Sequence, residues 1–164
     1  MDKELIKTQL HQWMEDFVEK PSSLLHNWAP CPYARQARLR GNIEIVFSDS
    51  FNLVTSVERN LSLLDDKEVI IVCFDHTDIS HEYLEDIVKV HNKALMPRDY
   101  VILEDHPNTP EILNGVKMNF GKCGLLLVQR LSKLSTASDQ LREKGYYNQW
   151  PKENYEDVVA WRSQ

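Results

Sequence analysis

Apolar positions recur along the chain with two different periods, and the switch between them marks out the elements. From Asp2 to Lys20 the residues Leu5, Ile6, Leu10, Trp13, Met14, Phe17 and Val18 follow spacings of three and four, which predicts an amphipathic helix ended by Pro21. Asn42 to Phe47 alternates and is rich in β-branched residues, so it reads as a strand; Leu53, Val54, Val57, Leu61 and Leu64 then return to the helical period. Glu68 to Phe74 is a continuous apolar run, as in a strand buried on both faces. Ser80 to Met96 predicts a helix with Asp78 or Ser80 as its cap and Pro97 as its stop. Tyr100 to Glu104 and Gly124 to Gln129 predict two further strands, with a loop or hairpin between Gly115 and Gly124. Leu131 to Lys144 predicts a last helix closed by Gly145.

This order predicts an α/β fold, a single-domain sandwich whose four-stranded mixed sheet carries helices. The helical connections between the first three strands imply parallel crossovers. A ferredoxin-like split arrangement is the other topology the order allows. The domain spans residues 1–164, divided into an amino-terminal helix (1–20), a core (21–144) and an aromatic tail (145–164). The length of 164 residues fits one core.

Charge narrows the partners. There are 19 Lys plus Arg against 25 Asp plus Glu, a net charge of −6, which disfavours nucleic acid and anionic membrane surfaces. No apolar run approaches the ~20 residues that span a bilayer, and the amino terminus lacks a basic-then-apolar signal pattern. Three cysteines, Cys31, Cys73 and Cys123, cannot all pair within the chain, so the expected compartment is a reducing cytoplasm.

The chemistry-bearing residues fall into two groups. If the first three strands are parallel, Asp49, Asp75-His76 and Asp105-His106 all lie just past their carboxyl ends, the edge where open α/β sheets bind ligands. Asp75, His76 and His106 are therefore candidate ligands for a divalent metal (Zn²⁺, Fe²⁺ or Mn²⁺) or acid–base groups, with His81 as a further candidate. Asp and His at strand ends also serve as turn and capping residues. His91 lies on the apolar face of its helix and reads as a satisfied core histidine; His26 reads as a weaker candidate for the site.

The second group is Cys31-Pro32-Tyr33-Ala34-Arg35 with Arg38 and Arg40, in a stretch without Asp or Glu. Pro32 predicts a helix start immediately after Cys31, where the macrodipole and the arginines would lower the thiol pKa and make Cys31 a nucleophile. Arg35, Arg38 and Tyr33 would bind a small anionic substrate. Burial of Cys31 and solvated or ion-paired arginines are the structural alternatives. The tail carries Tyr146, Tyr147, Trp150, Tyr155 and Trp161, a strip that either packs on its own sheet or offers a second copy or a protein partner an interface.

With Cys31-Pro32-Tyr33-Ala34, Gly41-Asn42-Ile43, Ser48-Asp49, His76, His106-Pro107 and Leu126-Leu127-Val128-Gln129-Arg130, the chain resembles, over about residues 25–145, a bacterial family known as domain of unknown function 1415. That family tends to have His-Pro after its second strand, where this chain has His76-Thr77. The resemblance implies a grouping of Cys31, His76 and His106 and names no reaction. The Cys-Pro-Tyr motif is also similar to that of glutaredoxin-like thiol proteins, which would imply thiol-redox chemistry at Cys31, although Ala34 stands at the second cysteine position.

Three functions follow as expectations. The first is a metal-dependent hydrolase or oxidoreductase at the strand ends, the second thiol chemistry at Cys31, and the third a non-catalytic binding module.

Overall fold

The computed structural model describes residues 1–163. Helix α1 (Lys3–Trp13) starts at Asp2, whose side chain accepts the Leu5 N–H at 3.1 Å, and a wider π-type turn continues it over Met14–Val18. After α2 (Ala34–Leu39) come β1 (Ile43–Phe47), α3 (Leu53–Asn60), β2 (Val69–Phe74), α4 (His81–Leu95) and β3 (Tyr100–Asp105). The short hairpin β4 (Ile112–Leu113) and β5 (Val116–Lys117) leads to β6 (Gly124–Arg130), α5 (Leu131–Glu143) and α6 (Lys152–Val158). At α4 the cap is Ser80, whose hydroxyl accepts the Tyr83 N–H at 3.2 Å.

The sheet is mixed, in the order β1-β2-β6-β3. Strand β1 pairs parallel with β2, while β6 lies antiparallel between β2 and β3. The reason lies in the connections. The β2-to-β3 link contains α4, long enough to cross over and skip one position. The β3-to-β6 link contains no crossover helix, so β6 turns back and fills the open slot. Strands β1, β2 and β3 consequently point the same way, as the sequence predicts.

Both faces are covered. Leu53 and Val57 of α3 with Leu84, Val88 and Leu95 of α4 pack on Ile70, Val72, Ile102, Leu126 and Val128. Ile6 and Leu10 of α1, together with Met14, pack on Ile71, Cys73 and Leu125 from the other side. The alternating residues of β2 thus divide between two layers, which is why its sequence reads as an unbroken apolar run.

The tail packs within the chain, the first of the two uses expected of it. Tyr146 is buried, stacks edge-on against Trp28 at 5.4 Å and donates its hydroxyl to Pro30 O at 2.7 Å. Tyr147 sits 5.0 Å from Trp150 and 5.2 Å from Tyr155, so the rings satisfy one another. No described helix is long and apolar enough to cross a membrane.

Candidate functional site at the carboxyl-terminal strand edge

Because β1, β2 and β3 share a direction, the residues that follow β2 and β3 meet at one edge. The rings of His76 and His106 lie 5.7 Å apart, edge to face, and His81 in the first turn of α4 places a third ring 6.1 Å from His106. The sequence therefore locates the edge and the gathering of histidines correctly.

The roles of two of its members differ from the expectation. His106 is 2% exposed, with Nε2 at 2.8 Å from Ile79 O and Nδ1 at 3.1 Å from the Asn108 N–H. The carbonyl can only accept and the amide can only donate, so the ring is held as the neutral tautomer protonated on Nε2, with both nitrogens occupied. It pins the start of the β3-to-β6 connection to the residue before the α4 cap and has no lone pair left for a metal or a substrate proton. Asp75 is a capping residue: its Oδ1 accepts the Thr77 N–H at 3.0 Å and the Thr77 hydroxyl at 2.7 Å, and these bonds hold its carboxyl below the usual range. His76, Asp75 and His106 are thus not assembled as a ligand set. Among the described residues no group of three or more His, Cys, Asp or Glu is arranged to hold a metal ion.

Asp105, on the opposite face of β3 from its neighbour Glu104, anchors the same connection. Asn119 Nδ2 donates to its Oδ1 at 2.7 Å and the Phe120 N–H to its Oδ2 at 2.9 Å. Asn119 also accepts the Glu111 N–H at 2.7 Å and donates to Thr109 O at 3.1 Å, so one buried amide ties three points of the excursion together.

The group with chemical potential at this edge is Glu104. Strand alternation puts it on the α4 face with Ile102, where its side chain is only 20% exposed. His81 Nε2 lies 3.8 Å from Glu104 Oε1 and 4.0 Å from Glu85 Oε2, while Glu104 Oε2 is buried with no hydrogen-bond partner. Burial, aided by the charges of Glu85 and Glu111, pushes the Glu104 carboxyl up to about 7. Sequence reasoning missed it because Glu104 ends an apolar strand and has no motif around it. The available signal was its register, two residues after Ile102 on the face that packs against α4.

The cysteine–arginine group lies elsewhere. The Cys31 N–H donates to Val18 O at 3.0 Å, beyond the end of α1, which packs on the other face of the sheet from α4. Helix α2 begins at Ala34, two residues later than predicted, and has only six residues. Cys31 is exposed, so a reagent can reach it. Its surroundings are nevertheless dense enough that desolvation raises the thiol pKa; Glu19 adds to the rise, and the Tyr33 and Ala34 amides only partly oppose it. This reverses the expected lowering. The physical reason is burial, and Arg38, expected to bind substrate, is engaged by carboxylates: it forms a two-pronged bond with Glu19 at 2.7 and 2.9 Å and reaches Glu15 at 3.3 Å.

Tyr33 is likewise occupied, donating its hydroxyl to Gln140 Oε1 at 3.1 Å. Arg35 is exposed and makes no ion pair among the described residues. Among the described residues no hydrogen bond links Cys31, Tyr33, Arg35 or Arg38 to the histidine edge. His26 is exposed, with a left-handed φ of 54° in the turn before Trp28, away from that edge. His91 is buried, with Nε2 3.1 Å from Glu58 Oε1, the satisfied core histidine the sequence predicts.

No family model, curated protein or solved structure matches the chain. The functional reading rests on the geometry of the chain itself.

Proposed function

We propose that this protein transfers protons to or from a small neutral or cationic molecule at the carboxyl-terminal strand edge, with Glu104 as the acid–base group and His81 as its partner. The observation that carries the reading is the Glu104 carboxyl, which has one oxygen buried without a partner and the other 3.8 Å from an imidazole. A carboxyl poised near 7 is protonated often enough to donate and ionised often enough to accept at neutral pH. Its orphaned oxygen is an acceptor for a donor group on a bound molecule. Glu85 and Glu104 make the edge acidic, so the substrate class proposed is neutral or cationic, in place of the anionic one that Arg35 and Arg38 predict.

Metal chemistry through His76 and His106 and thiol chemistry at Cys31 have less behind them, because His106 is saturated and the thiol is raised. The test combines a ¹³C NMR titration of the glutamate carboxyls with a thermal-shift screen of small amines, amides and alcohols on either side of neutrality. Glu104 titrating close to 7, with stabilising compounds lost in Glu104→Gln and weakened in His81→Ala, supports the proposal. An ordinary Glu104 titration near 4.5, or compounds bound equally well by Glu104→Gln, overturns it.

A further inference from the structure

Helix α4 buries Leu84, Val88, His91, Asn92 and Leu95 against the sheet and α3. A second apolar row adjoins that face at Ile87, which packs against the same core, and continues along the outer side. Tyr83 is 60% and Val90 68% exposed; Ile87 between them is half-buried, and Ala94 completes the row in the open. The spacing of 83, 87, 90 and 94 is four, three, four, the seam by which two helices interdigitate in a coiled coil. Phe51, 80% exposed, and Val54, 42% exposed, widen the apolar surface at its amino-terminal end, where they border a cavity of about 230 Å³ with Tyr83 and Ile87. Isolated exposed apolar residues need no explanation, whereas a contiguous row at helix-pairing spacing does.

One flank of the seam faces α3, because His91 on that side meets Glu58. The other flank carries Glu82, Asp86, Lys89 and Lys93, all exposed, and none of the four is in an ion pair among the described residues. Glu82 and Asp86 are like charges one turn apart, and so are Lys89 and Lys93, an arrangement that costs stability in an isolated helix. The helix dipole favours acid at the amino end and base at the carboxyl end but does not account for the exposed seam beside them.

We propose that α4 pairs antiparallel with α4 of a second copy of this chain, about a two-fold axis passing between Val88 and Lys89. That axis sets Ile87 against Val90 of the second copy and Tyr83 against Ala94 of the second copy, large against small. Reversing the charged row sets Lys93 of the second copy level with residue 84, between Glu82 and Asp86 and about 3 Å along the axis from each, so base meets acid on that flank. A two-fold interface requires a surface complementary to itself, and this row, acidic in one half and basic in the other, has that property. A basic or an acidic partner would match only half of it. The net charge of −6 opposes general self-association, which leaves this locally balanced strip as the place where two copies approach.

The test is sedimentation velocity on the full chain from low to high micromolar concentration, with Val90→Glu, Asp86→Lys and the reversed variant Glu82→Lys/Asp86→Lys/Lys89→Glu/Lys93→Glu. The expected result is a reversible species of twice the 19.2 kDa mass, abolished in Val90→Glu and weakened at least about tenfold in Asp86→Lys. The reversed variant, which restores the complementarity with its signs exchanged, regains the dimer. All the altered side chains are exposed, so thermal unfolding of the variants at dilution matches the wild type. A wild type that stays monomeric at every concentration overturns the proposal and leaves the strip to a different partner. A dimer untouched by Val90→Glu, or a reversed variant no tighter than Asp86→Lys, overturns it equally.

Discussion

Glu104 and Cys31 show how one residue's surroundings override its type. Glu104 ends a strand as an unremarked acid, yet its carboxyl is pushed from 4.5 to about 7 because its oxygens sit against the α4 layer and beside Glu85. A raised folded-state pKa means the folded protein holds that proton more tightly than the unfolded chain. The associated stability is complete below about 4.5 and is lost as the pH rises through about 7. At about 1.4 kcal/mol per unit, the effect approaches about 3 kcal/mol as an upper value. Denaturant unfolding of Glu104→Gln against wild type is expected to show a relative gain for the variant that grows from acid to mildly alkaline pH; a constant difference would count against the assignment. Cys31 is the converse case, a motif residue whose thiol is raised. Iodoacetamide is expected to alkylate Cys31 alone in the folded protein, with a pH-rate profile shifted to the alkaline side of a free thiol, while the buried Cys73 and Cys123 react only after unfolding.

Among the elements, the β3-to-β6 connection is the one whose construction the sequence disguises. Asp105-His106 reads as catalytic at a strand end, but its bonds go to Asn119, Phe120, Asn108 and Ile79 and hold the excursion that lets β6 return between its neighbours. Asn119→Ala leaves the buried Asp105 carboxyl without its side-chain donor, and a loss of about 2 kcal/mol by denaturant unfolding is expected. A loss within a few tenths would show that water replaces the amide. Gly124, at the start of β6, faces Phe74 across the sheet with the ring lying where a Cβ would stand. Gly124→Ala is therefore expected to displace a fully buried ring and cost about 1–3 kcal/mol, read as a lowered melting temperature.

At the scale of the whole molecule, the aromatic tail, the Trp28–Pro30 turn and α5 form one packed unit. Tyr146 holds it by ring contacts and by its hydroxyl bond to Pro30 O at 2.7 Å. Tyr146→Ala is expected to cost about 3–5 kcal/mol in thermal unfolding, as a buried aromatic truncation should, while Tyr146→Phe loses only about 1 kcal/mol. Equal losses in the two variants would place the weight on the hydroxyl instead.

The hydrophobic periods by themselves determined the existence and type of the main helices and strands and the α/β class, because amphipathicity is a local record of which face is buried. The lengths of the helical connections pointed to a shared direction for the first three strands, and that direction, if it holds, puts the histidines that follow them at one sheet edge. Only the tertiary structure decided that β6 enters between β2 and β3, because strand order depends on which slot a connection leaves open. It likewise decided which polar residues are free to act. His106, Asp75, Arg38 and Tyr33 carry the right functional groups but find partners within the chain, whereas Glu104 keeps one buried oxygen unpartnered. A side chain's chemistry is set by the partners and solvent it meets, and those come from parts of the chain far away in sequence.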